Sequence, residues 1–180
     1  PCVQFQSSLT ADGLVKPGEI IGSEDCLYLN IYAPHLKKNN ELLPVMIWIH
    51  GGGNTTGMPS EYHPEKFVRS ENIIFISISY RLGFFGWLSH PLIRQQEGIN
   101  ATSNFGLLDQ ILAINWIKDN IQFFGGDSNN ITIFGESAGG QKITWHDLTF
   151  NGMKTFFDIR HSVVQKNGII DVNLENQSAL

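Results

Sequence analysis

Ile131-Thr132-Ile133-Phe134-Gly135-Glu136-Ser137-Ala138-Gly139-Gly140 decides the fold. Its first four residues are a run of β-formers of the kind found in strands covered on both faces. The small residues that follow form G-x-S-x-G, and a helix is predicted from about Ser137 to Leu148. A nucleophile on a tight strand-to-helix turn needs small neighbours, because its backbone is strained and packed against adjacent elements. Gly135 and Gly139 supply that room. The turn would hold the Ser137 hydroxyl above the sheet and aim the positive end of a helix dipole at the reacting oxygen.

Outward from this stretch, the same pattern recurs. Val45-Met46-Ile47-Trp48-Ile49 is a short apolar run that breaks into His50-Gly51-Gly52-Gly53. Consecutive glycines let backbone N–H groups converge on one point, as a tetrahedral oxyanion requires, and one such donor is worth about 2.7–4 kcal/mol in a transition state. HGGG and GESAG on separate buried strands point together to acyl transfer. Ile73–Tyr80 is predicted as another buried strand, and Leu27–Tyr32 as a strand ended by Pro34. Apolar residues Leu107, Leu108, Ile111, Leu112, Ile114, Ile117 and Ile121 recur at helical spacing from Gly106 to Ile121, with Asn104 as the cap and Phe123–Asp127 as the stop. Pro64–Arg69 reads as one or two helical turns and His161–Gln165 as a further strand. Residues 1–22, 37–43 and 81–103 read as loops or turns. Strands alternating with helices give an α/β class, with a mainly parallel sheet and helices on both faces.

Composition fits a folded domain. The 180 residues are 42% hydrophobic and 16% charged, with a net charge of −5. The 12 basic residues are scattered, which argues against a nucleic-acid or anionic-membrane surface. No apolar run is long enough to span a bilayer. The cysteines and histidines show no metal-ligand spacing, and no cofactor is expected. The chain opens on Pro1-Cys2 without an initiator Met or a signal-peptide pattern, so a processed or incomplete chain is expected and targeting is not read from it.

Longer blocks carry a resemblance. Glu24-Asp25-Cys26-Leu27-Tyr28-Leu29-Asn30-Ile31-Tyr32-Ala33-Pro34 resembles the EDCLYLN signature of the type-B carboxylesterase/cholinesterase family of α/β-hydrolases. Phe124–Gly139 resembles that family's nucleophile signature, and Tyr80–Gly86 and Asn104–Gln110 resemble its intervening blocks. The resemblance covers about residues 1–170 and implies the N-terminal, incomplete part (1–180) of an α/β-hydrolase domain, later strands absent. It implies Ser137 as nucleophile, the N–H groups of Gly52, Gly53 and Ala138 as oxyanion hole, Glu136 as a buried supporting acid, and a Cys2–Cys26 disulfide. A bridge of that kind stabilises by roughly 3 kcal/mol and indicates an oxidising compartment, hence a secreted or ER-lumenal protein. The implied substrate is a small-molecule carboxylic ester.

In this fold the acid and histidine follow the nucleophile, and the resemblance places both beyond Leu180. His146 and His161 are poor substitutes, so the 180 residues alone are expected to be close to inert. Uncovered apolar helix faces and a strand edge predict poor solubility. Three departures stand out: Asn54 replaces an aromatic, Gln141-Lys142 replace small residues, and no Trp lies between Cys2 and Cys26. The last favours a general carboxylesterase over a cholinesterase, which holds choline by cation–π attraction. A non-catalytic, neuroligin-like binding homologue and an inert truncated product are the alternatives. Of the sequons at Asn54, Asn100, Asn130 and Asn176, Asn100 is the best glycan acceptor.

Overall fold

The computed structural model describes residues 1–7, 18–35, 41–92, 104–147 and 154–155. Its centre is a five-stranded sheet of β3 (Leu29–Tyr32), β4 (Leu43–Ile49), β5 (Ile74–Ile78), β6 (Gly126–Gly135) and β7 (Lys154–Thr155). The spatial order is β3-β5-β4-β6-β7. β4 runs parallel to β5 and β6, β6 runs parallel to β7, and β3 alone is antiparallel to its neighbour β5.

Strand alternation sorts the side chains into two clusters. Val45, Ile47 and Ile49 share one face with Ile74, Ile76, Ile78, Ile131 and Ile133, all buried. That face is covered by Ile114 and Ile117 of α3 (Phe105–Asn120), by Ile121 just beyond it and by Ile143 of α4 (Ala138–Asp147). The other face presents Trp48, Phe75 and Phe134 in edge-to-face contact, with Val68 of α1 (Glu65–Glu71) packed on Trp48 and Phe75. Helices therefore lie on both faces, as the buried runs predict.

Several details differ from the sequence reading. The loop-like N-terminal segment contains a short antiparallel pair, β1 (Gln4–Phe5) with β2 (Ile20–Ile21). Two-residue strands are too short to carry an alternating pattern. The connection after Tyr80 contains α2 (Gly83–Trp87), hidden from sequence by its two glycines. In α3 the periodic residues do not share one face, since Leu108 and Leu112 are exposed while Asp109 and Gln110 are buried. The reason is Arg81, whose guanidinium forms two bonds of 2.7 and 2.8 Å to the Asp109 carboxylate and draws that face inward. Asn104 occupies the N-cap position of α3 and acts through its backbone, its carbonyl accepting from the N–H groups of Leu107 and Leu108. The predicted strand at His161–Gln165, and the residues Asn100, His161 and Asn176, lie outside the described residues.

Candidate active site

β4 and β6 are parallel neighbours with Ile49 opposite Gly135, so the turns after them emerge side by side at the carboxyl edge of the sheet. Ser137 occupies the turn after β6 at φ 54°, the left-handed region, which costs an L-residue about 1–2 kcal/mol. Packing enforces it. A Cβ at Gly139 would collide with the carbonyl oxygens of Ile49 and His50, so the start of α4 lies directly on the end of β4. The turn closes with Gly139 N–H donating to Glu136 O at 2.9 Å and Gln141 N–H to Ser137 O at 3.0 Å.

The glycine-rich turn meets it edge on. A Cβ at Gly51 would lie 2.5 Å from Glu136 Oε2 and 3.1 Å from Ser137 Cβ, so only glycine permits this approach. Gly52 and Gly53 have φ of 88° and 60°, and Gly52 O accepts from the N–H groups of Thr55 and Thr56 at 3.0 Å each. Behind the turn, His50 is buried and stacked on Tyr80 at 4.4 Å. The Tyr80 hydroxyl donates to His50 O at 2.6 Å, and burial, with a smaller contribution from Tyr62, raises its pKa above the usual tyrosine range.

Between the two turns lies a cleft of about 280 Å³ lined by Gly51, Gly52, Gly53, Thr56, Gly57, Glu61, Tyr62, Glu136 and Ser137. The structure thus gathers Ser137, Gly52, Gly53 and Glu136 around one space. Ala138 is buried as the first residue of α4, directly after Ser137. His35, His50, His63 and His90 do not line the cleft, and no described cluster of histidines, cysteines and carboxylates could hold a metal ion. Cys2 and Cys26, whose Cα atoms are 4.8 Å apart, are joined by a disulfide.

Sequence reasoning missed Glu61, Tyr62 and Gln4. Glu61 contributes a buried Oε1 with no hydrogen-bond partner, and burial pushes its carboxyl up to about 7. A lone Glu at the end of a short 3-10 turn carries no signal of such a position. Asn54, at φ 64°, and Asn130, inside β6, are both half-buried.

The carboxylesterase family profile matches residues 1–165. The chain is 48% identical over 148 residues to liver carboxylesterase 1F of Rattus norvegicus, covering 82% of this chain and 25% of that protein. It is 43% identical over 151 residues to the cocaine esterase of Oryctolagus cuniculus, covering 82% of this chain and 27% of that one. Among solved structures, a thermophilic PNB esterase superposes with a TM-score of 0.67 at 40% identity, over 79% of this chain and 28% of that one. The chain spans about a quarter of the length of the curated relatives it matches. Its sheet is the N-terminal portion of an α/β-hydrolase fold.

Proposed function

The chain belongs to the carboxylesterase family, and on that premise we propose that it supplies the nucleophile and oxyanion hole of a carboxylic ester hydrolase. Ser137 Oγ attacks the ester carbonyl carbon, and its proton passes to a histidine supplied by sequence outside this chain. The carbonyl oxygen becomes an oxyanion and accepts hydrogen bonds from the N–H groups of Gly52, Gly53 and Ala138. Collapse of that intermediate breaks the ester C–O bond, the alcohol leaves with the proton from the histidine, and water then cleaves the acyl-serine by the same route. Glu136 lies beside Gly51 and supports that turn. The chemistry needs neither a metal nor a cofactor.

The observation that carries this reading is Ser137 at φ 54° on a strand-to-helix turn, sharing a cleft with Gly52 and Gly53. Membership of the carboxylesterase family supports a base from elsewhere in a longer protein, without which the 180 residues alone would be nearly inert. The disulfide supports an oxidising compartment, hence a secreted or ER-lumenal protein. Treatment of the longer protein with a fluorophosphonate tests the assignment. One covalent adduct on Ser137, lost in Ser137→Ala, is expected. No adduct, or one that persists in Ser137→Ala, would overturn it.

A further inference from the structure

Gly57 closes the glycine-rich turn and lines the cleft, yet its backbone is held by a residue from the other end of the described chain. The buried Gln4 side chain accepts from Gly57 N–H at 2.8 Å and donates through Nε2 to Gly57 O at 3.0 Å. The same Nε2 donates its second hydrogen to Cys2 O at 3.0 Å. A primary amide carries a donor and an acceptor side by side, so Gln4 pairs with both polar groups of one residue, as an adjacent antiparallel strand would. Gly57 cannot yield on its other side. Its φ is 123°, and a Cβ there would collide with His50 Nδ1, which itself pairs with Gly51 O at 3.0 Å.

We propose that Gln4 is the positioning residue of the oxyanion turn, fixing Gly57 against His50 so that Gly52 and Gly53 keep their place opposite Ser137. This rests on the esterase reading of that turn. Gln4 is anchored in its turn by β1–β2 pairing, by the bridge of Cys2 to Ser23 and by the disulfide to Cys26. The requirement is specific. Asparagine is one methylene too short, and leucine or methionine would leave both polar groups of buried Gly57 unpaired. Glutamate meets the requirement only when protonated, because the carboxylate has no hydrogen to give Gly57 O.

The test uses the full-length protein with p-nitrophenyl acetate and a fluorophosphonate. Gln4→Ala should lower kcat and the labelling rate about tenfold to a hundredfold, as expected for displaced catalytic groups, and leave KM within about twofold. Gln4→Glu should approach wild type at acidic pH and fall away from it as pH rises through the new carboxyl's pKa. A merely structural role would not produce that profile. Unchanged kcat in Gln4→Ala, or a Gln4→Glu to wild-type ratio flat with pH, would overturn the proposal. Amide hydrogen exchange across residues 51–57 separates the two claims and needs no catalysis. Faster exchange there in Gln4→Ala supports the positioning role even if the wild-type protein takes no label, a result that would sink only the esterase reading. Unchanged exchange would overturn the role of Gln4.

Discussion

A serine at φ 54° stores backbone strain that any Cβ-bearing residue at the position would share. Ser137→Ala and Ser137→Gly should both abolish fluorophosphonate labelling, and Ser137→Gly should be the more stable by about 1 kcal/mol in urea unfolding, since glycine adopts this conformation freely. Equal stability would show that the turn is relaxed. Glu61 predicts a pH effect. Its carboxyl rises to about 7 from an ordinary value of 4.5, so the folded state binds the proton more tightly than the unfolded chain. That stabilisation is complete below the ordinary value and is lost as pH climbs towards 7. Partial solvation limits its size to about 1 kcal/mol. Glu61→Gln should therefore flatten the dependence of Tm on pH between 5 and 8 and melt higher than wild type at pH 8 (the window set by that shift). Ser137 was legible in the sequence because strand, glycines and serine are contiguous. Glu61 and Gln4 were not, since their meaning depends on partners that only folding brings near.

At the scale of elements, β4 and β5 could be read directly because burial on both faces leaves nearly continuous apolar runs. Only Ile131–Phe134 of β6 was legible, since its polar start from Gly126 to Asn130 carries no such signal. The α3 helix was found, but its apolar spacing does not mark the buried face, because an ion pair turns Asp109 inward. The Arg81–Asp109 pair ties the end of the β5 segment to α3, and the Arg81 guanidinium also sits 5.2 Å over the Phe105 ring. Asp109 is buried but Arg81 keeps partial access to water, so Asp109→Ala should cost about 1–3 kcal/mol in chemical denaturation. A loss below about 1 kcal/mol would mean that solvent satisfies Arg81 without help. The Cys2–Cys26 bridge spans a sequence separation of 24. Its reduction should destabilise by roughly 3 kcal/mol, read from melting curves with and without reductant.

For the molecule as a whole, apolar surface remains in contact with water. Phe123 is 86% exposed, Phe84 81% and Leu112 64%. The isolated 180 residues should therefore self-associate in sedimentation, and a monodisperse 20.2 kDa species with a cooperative melt would contradict that expectation. The strand order carries a further consequence, one of timing. β4 lies between β5 and β6, both of which are synthesised after it, and β3 must wait for β5 before it has a neighbour. The glycine-rich turn is thus made long before the strand that brings Ser137 to it. As the chain leaves the ribosome, Ser137 lies apart from that turn until β6 docks on β4. That docking assembles the cleft, so a nascent chain that ends before β6 cannot bring the two turns together.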